Sequence, residues 1–317
     1  MVSNALPDCW IVSSGLKGCE NQCIGVAEEL KLKYEIKKIN PSWLLSIIAP
    51  YGKPKNNKKI TAPFPKIIIG AGRKTIPYIK HIKKISNSRC FTVYLQNPKI
   101  KTNNFDLVWA PNHDNIKGKN VISTLLTPGR VSSELLNLEK NKWNNKFQDI
   151  PKPYLSVLIG GKSKAFNFSD KECLNILSSI TRAIDLGWTP LISSSRRTPK
   201  KLILGIQNLI KGKPHYFYDG NGENPYYAFL AISDAALVTP DSVNMISETL
   251  IANLPTYIFN LKCKSKRISS FLSTLEDEKY IKKFDETIEI YDFKKNNPTK
   301  YIAEHIKKIK TPLKSIN

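Results

Sequence analysis

Short apolar runs rich in β-branched residues alternate along this chain with longer stretches whose apolar residues recur at helical spacing. That alternation is the pattern of βαβ units around a mainly parallel sheet. In the first half the runs predict strands at Trp10–Ser13, Tyr34–Ile39, Lys66–Gly70, Cys90–Leu95 and Asp106–Ala110, with helices near Asn21–Leu30 and Thr75–Ile85. A second series begins at Tyr154–Ile159 and continues through Thr189–Ser193, His215–Tyr218, Ala235–Val238 and Thr256–Phe259. Helix starts punctuate it: a capping box at Ser169-Asp-Lys-Glu172, Thr198-Pro199 with Pro at a first helical position, and Asp241-Ser242 before the apolar-periodic stretch Val243–Ala252. Between the two series, Asn141–Pro153 is polar and closes on Pro151-Lys-Pro153, which predicts a hinge. The expected architecture is α/β, with two Rossmann-like domains (1–150 and 151–317) whose parallel sheets face each other across a cleft. Ligands of such sheets bind outside the carboxyl ends of the strands, so the chemistry is sought in the loops that follow them.

Composition narrows the class. A length of 317 residues suits two domains, and 41 % apolar residues suffice for two cores, which argues against disorder. The chain has 49 basic and 26 acidic residues, a formal charge of +23, and only seven of the basic residues are Arg. Abundant Lys, Asn and Ile fit an AT-rich genome, yet Glu is equally favoured there and stays scarce, so the excess is a property of the protein. It suits a nucleic acid, an anionic membrane or a phosphorylated substrate. No helix-turn-helix, RNA-recognition or zinc pattern appears, so no specific nucleic-acid partner is expected. No apolar stretch reaches the ~18–20 residues that cross a bilayer, and the start lacks a signal peptide. The expectation is a cytoplasmic protein, peripheral at most on the inner face of a membrane. Six scattered Cys without a CxxC predict reduced thiols and no structural metal.

Three strand-end loops carry anion-binding chemistry. Gly160-Gly161-Lys162-Ser163 fails the P-loop spacing, since the required first glycine is Ser156, but two glycines let backbone N–H groups approach an anion. The alternative is a plain tight turn. Ser194-Ser195-Arg196-Arg197 brings hydroxyls and two of the few arginines to a helix amino end, the alternative being a solvated Arg pair. Thr239-Pro-Asp-Ser242-Val243-Asn244 opens a helix that carries Glu248 six residues after Ser242, ~9 Å along the axis at ~1.5 Å per residue. That separation suits a diphosphate at the helix end and a ribose diol on the carboxylate.

Ser13-Ser-Gly-Leu-Lys-Gly-Cys-Glu-Asn-Gln22, Ile69-Gly-Ala-Gly-Arg73, Val108-Trp-Ala-Pro-Asn-His-Asp114, Gly160–Ser163, Ser194–Pro199, Glu223-Asn-Pro-Tyr226 and Thr239–Glu248 resemble, in order, the motifs of the "elongated mitochondria" (Elm) mitochondrial-fission family. The resemblance implies a GT-B-like fold, that of many nucleotide-sugar glycosyltransferases, and bacterial members of unproven biochemistry beside plant members that help recruit a dynamin-related protein. The family's first loop reads Asp-Gly-x-x-Gly-His-x-Asn-Gln, whereas Ser14 and Cys19 stand here at the Asp and His positions. In GT-B enzymes that loop often supplies the base.

Inverting transfer needs a base on the acceptor hydroxyl and a positive site for the departing diphosphate. Glu20, His113 and Asp114 are the candidate bases, and Lys162, Arg196, Arg197 and the Ser242 helix start the candidate diphosphate site. No Asp-x-Asp ends a strand, so metal independence and no cofactor beyond a nucleotide-sugar co-substrate are expected. Trp43–Tyr51 followed by Lys53, Lys55, Lys58 and Lys59 reads either as a membrane-resting patch or as a core helix with a solvated loop. Residues 1–150 carry +14 and 151–317 carry +9, so most of the charge lies on the amino-terminal side. The leading expectation is a nucleotide-sugar glycosyltransferase acting on a lipid-linked or envelope glycan acceptor at an anionic membrane. The rival is a non-catalytic adaptor in membrane or mitochondrial fission that keeps the fold.

Overall fold

The computed structural model describes residues 7–54 and 60–310. Its chain forms two compact units, Met1–Arg130 with Asn297–Asn317, and Val131–Asn296. In the first, β1 (Cys9–Ser13), α1 (Lys17–Glu29), β2 (Tyr34–Lys38), α2 (Trp43–Ile48), β3 (Ile67–Ala71), α3 (Ile76–Ile85), β4 (Phe91–Leu95), β5 (Leu107–Pro111) and β6 (Val121–Thr124) follow in sequence. The strands make one parallel sheet in the order β2-β1-β3-β4-β5-β6. Helices cover both faces, so β1, β3, β4 and β5 are buried throughout and read as continuous apolar runs without alternation. Cys23, Val26 and Ala27 of α1 pack on one face, and Ile76, Ile79 and Ile82 of α3 on the other.

The second unit repeats the plan with α4 (Ser133–Phe147), β7 (Tyr154–Ile159), α5 (Asp170–Asp185), β8 (Thr189–Ser194), α6 (Lys200–Ile210), β9 (Tyr216–Tyr218), α7 (Tyr226–Ile232), β10 (Ala235–Val238), α8 (Val243–Ile251), β11 (Thr256–Ile258), α9 (Lys266–Asp277) and β12 (Ile281–Lys283). All pairings are parallel, in the order β12-β11-β10-β7-β8-β9. The capping box forms as expected: Ser169 accepts from Glu172 N–H while Glu172 accepts from Ser169 N–H at 2.7 Å. Pro199 instead caps α6 from outside, with ψ 134°, and the helix begins at Lys200.

The boundary between units falls at Arg130–Val131, earlier than the expected 150–151. The stretch anticipated as a hinge begins inside α4, whose Trp143 and Phe147 are buried with Tyr154 and Phe229 and so join the second core. A last helix, α10 (Pro298–Lys310), returns to the first unit, where Ile302 and Ile306 share a core with Val26 and Ala27. Thr299 ties it down, donating to Gly129 O and accepting from Gly129 N–H, both at 3.0 Å. Among the described residues no helix is long and apolar enough to cross a membrane.

Candidate functional site

In the second unit, the order in which strands are added reverses at the centre of the parallel sheet. The strands β7, β8 and β9 run outward one way and β10, β11 and β12 the other, so the switch point lies between β7 and β10. In such sheets ligands usually bind outside the strand ends at a switch point of this kind. Gly160–Ser163 and Thr239–Ser242 leave those two strands, and Ser194–Thr198 leaves adjacent β8. Three loops separated in sequence thus meet.

What they do first is bind one another. Gly160 N–H donates to Thr239 Oγ1 at 2.8 Å, Gly161 N–H to Asp241 Oδ2 at 3.0 Å, and Lys162 N–H to the Arg197 carbonyl at 3.2 Å. All three successive amides are therefore engaged within the protein, and the anion-cradle reading of the glycines gives way to a close-packed turn. Neither glycine needs positive φ; each is required by proximity. A Cβ on Gly160 would fall 2.1 Å from Asp241 Oδ1, and one on Gly161 2.2 Å from the Arg197 carbonyl.

Arg197 is equally committed. Its Nη1 donates to the carbonyls of Gly161 at 3.1 Å and Lys162 at 2.8 Å, and its Nη2 to Asp241 Oδ2 at 3.0 Å. The Asp241 side chain is fully buried and also accepts from Thr239 Oγ1 at 2.7 Å. Sequence reasoning used Asp241 only as a helix-start signal, although a buried carboxylate beside a lone Arg is the natural lock for three loops. Arg197 is therefore a loop clamp, half-exposed but tied to three oxygens of the neighbouring loops. Ser195 and Thr198 close their own turn: Ser195 N–H donates to Thr198 Oγ1 at 2.9 Å and Arg197 N–H to Ser195 Oγ at 3.2 Å. Ser163 does the same, its Oγ accepting from Ala165 and Phe166 N–H at 3.2 Å. Lys162 and Arg196 remain exposed, and Ser194 half-buried at the end of β8.

Ser242 caps α8 as expected, its Oγ accepting from Met245 N–H at 3.3 Å, which puts Val243 and Asn244 in the first turn. The next turn carries Glu248, buried at 8 % exposure. Tyr226, at the start of α7, donates its hydroxyl to Glu248 Oε2 at 2.6 Å. Burial pushes the Glu248 carboxyl up to about 7 and the Tyr226 hydrogen bond opposes that rise. Burial and the neighbouring carboxyl raise the Tyr226 hydroxyl well above its ordinary range. Tyr226 belongs to the Asn-Pro-Tyr motif seen in the sequence, but its carboxylate partner lies twenty-two residues on and was invisible there.

The three base candidates lie in the first unit. Glu20, in the first turn of α1, is 4 % exposed and has both oxygens occupied, Oε2 by Ser13 Oγ at 2.6 Å and Oε1 by Lys17 Nζ at 2.9 Å. Burial acts against ionisation, but those bonds and the charges of Lys17 and Lys38 win and hold the carboxyl below its ordinary range. An acid so held is a weak base. Cys19 receives Gln96 Nε2 on its sulfur at 3.3 Å, and burial raises its thiol. His113 and Asp114 sit on a 3-10 turn directly after β5, at the same strand-end edge.

The family model for mitochondrial fission ELM1 matches residues 17–309. Mitochondrial fission protein ELM1 of Arabidopsis thaliana is 25 % identical over 77 % of this chain, which spans 64 % of that relative's length. An uncharacterized protein of Rickettsia prowazekii is 27 % identical, covering 94 % of this chain and 97 % of its own. Among solved structures, the UDP-GlcNAc 2-epimerase from Methanocaldococcus jannaschii gives a TM-score of 0.57 at 12 % identity over 96 % of this chain and 99 % of that one. The S. aureus MnaA–UDP structure gives 0.53 at 11 % identity, covering 98 % of each chain. At those identities the likeness speaks for the fold, which is GT-B-like.

Proposed function

This chain belongs to the mitochondrial fission ELM1 family, and we propose that it is a glycosyltransferase using a nucleotide-diphosphate sugar, with a lipid-linked or envelope glycan as acceptor. Glu248 carries the reading: a carboxyl buried one turn into the helix at the switch point, given one hydroxyl donor by Tyr226 and with acceptor capacity for more. A ribose diol supplies the missing donors and would draw the group to its ionised form. The diphosphate would then lie toward Val243 and Asn244 at the α8 amino end, with exposed Lys162 and Arg196 as further cations. Arg197 and Asp241 would position this surface by fixing the three loops. Fold-level likeness to proteins whose structures contain UDP is consistent with such a ligand.

Calorimetric titration with UDP, GDP and their sugars tests the donor site. One nucleotide should bind, and Glu248→Ala should weaken it about 10- to 100-fold, the range for hydrogen bonds to a charged group. A folded chain that binds none of them refutes the proposal. The adaptor reading is favoured by one observation: Glu20, the base candidate of the first loop, is tied to Ser13 and Lys17, and Cys19 stands where the family has His. If Glu248→Ala abolished nucleotide binding while complementation in the host stayed normal, the adaptor would be the correct function.

A further inference from the structure

Exposed apolar surface in the first unit concentrates on one short element. Trp43, Leu44, Ile47 and Ile48 of α2 and Tyr51 just beyond it are 75, 53, 61, 42 and 63 % exposed. At ~100° per residue the four helical positions sweep an arc of about 140°, while Leu45 turns inward and is buried. The element is braced from behind. Gly52, at φ +88°, turns the chain tightly against Leu45 and Ile48, where a Cβ would fall within 2.9 and 2.7 Å of their methyls. Arg73, from the turn after β3, donates to the carbonyls of Ser46 at 3.0 Å and Ile47 at 3.4 Å. The reading of this segment as a core helix does not fit that exposure. Lys55, Lys58 and Lys59, which the sequence associates with it, lie outside the described residues.

The stretch of sequence that carries it is one-sided in charge. From Ile36 to Phe105 the sequence contains fifteen Lys and Arg and not one Asp or Glu. Lys53, Arg73 and Lys74 of that stretch are exposed. We propose that α2 and Tyr51 insert into the interfacial layer of an anionic phospholipid bilayer, with Lys53 and Lys74 lying on lipid phosphates and Arg73 bracing the element. Trp and Tyr flanking aliphatic side chains suit the headgroup boundary, where an aromatic ring has both an apolar and a wet side. An acid-free stretch of this length offers diffuse attraction to an extended anionic surface, where an acidic protein would need matched single pairs. The inference rests on the first unit alone and is independent of the donor site.

Co-sedimentation of the full chain with phosphatidylcholine vesicles, with and without phosphatidylglycerol, tests it. Binding is expected to the anionic vesicles only, with a blue shift of tryptophan emission. Lys53→Glu/Lys74→Glu should weaken binding at least 25-fold, from roughly fivefold per lysine lost. Trp43→Glu/Ile47→Glu should weaken it at least tenfold and abolish the blue shift, while the melting temperature and nucleotide titration stay as in the parent chain. Equal binding to neutral vesicles overturns the proposal, as does anionic binding indifferent to Trp43 and Ile47, which would leave a basic surface only. A dimer in light scattering that Trp43→Glu/Ile47→Glu dissolves overturns it too, because a second copy would then cover the patch.

Discussion

Replacing Glu248 by Gln removes a titration and leaves the side chain's size almost unchanged. The carboxyl titrates at its ordinary 4.5 in the unfolded chain and at about 7 when folded. The folded state therefore holds the proton more tightly, so its contribution is full below pH 4.5 and is lost as pH rises through 7. At 1.36 kcal/mol per pH unit the interval from 4.5 to about 7 corresponds to about 3 kcal/mol. Glu248→Gln does not titrate, so relative to the parent it should gain about that much between pH 4.5 and 8. For a unit of this size ~2–4 °C accompanies each kcal/mol, giving a relative rise of roughly 6–12 °C. Calorimetric scans of both proteins across that range, following the transition of the second unit, measure it. A melting-temperature difference constant with pH would refute the buried, proton-holding carboxyl on which the donor reading stands. The same linkage fixes the sign of ligand binding. Ribose hydroxyls donate to the ionised carboxylate, so nucleotide affinity should climb from pH 5.5 to 8 in the parent and stay flat in Glu248→Gln.

Further consequences follow from the same contacts. Tyr226→Phe deletes the one interaction that opposes the rise of Glu248, so the affinity midpoint should move to higher pH, with about 1 kcal/mol lost from stability, readable in the same titrations. Gly161→Ala drives a Cβ into the Arg197 backbone; about 1–3 kcal/mol should be lost on melting, along with nucleotide affinity. Arg197→Ala strips two loop carbonyls and buried Asp241 of a donor, and its half-exposed guanidinium keeps the loss to about 1–3 kcal/mol. Arg196→Ala should leave melting unchanged but weaken diphosphate binding and its salt dependence, a contrast that titration at two salt concentrations resolves.

The strands were legible because helices cover both faces of each sheet, so β10 is an apolar run and β7 one interrupted only by Ser156, both with the bounds the structure gives them. The edge strands β6 and β12 were not. Val121–Thr124 is only half-buried, and Ile281–Lys283 buries Ile281 alone, so neither leaves a periodic apolar signature. The α4 boundary was obscured because its helix is polar along most of its length, and the two rings that decide its allegiance, Trp143 and Phe147, find Phe229 some eighty residues away. The three-loop motif was readable as a place but not as a mechanism. Gly, Arg and Asp at strand ends look alike whether they face an anion or one another, and only the register of β10, β7 and β8 brings Asp241 onto Gly161 and Arg197.

That ambiguity recurs at Glu20, where it bears on catalysis. A general base works best with a pKa near the working pH and a lone pair aimed at the acceptor. Glu20 instead receives Ser13 on one oxygen and Lys17 on the other and is held below its ordinary range, which makes it a fastener between the end of β1 and the start of α1. Its contribution to stability is present above its ordinary 4.5 and lost as pH falls through the depressed folded value. Glu20→Gln should accordingly lower the melting temperature at pH 7 and narrow its difference from the parent in acid. If transfer to an acceptor is the reaction, the turnover of Glu20→Gln should survive with KM and kcat little changed at a temperature where the variant is folded. Asp114→Asn or His113→Ala should instead lower kcat, because the turn that carries them follows β5 at the strand-end edge. A loss of kcat confined to Glu20→Gln would show that the bound acceptor displaces Lys17 and frees the carboxylate, reversing the assignment.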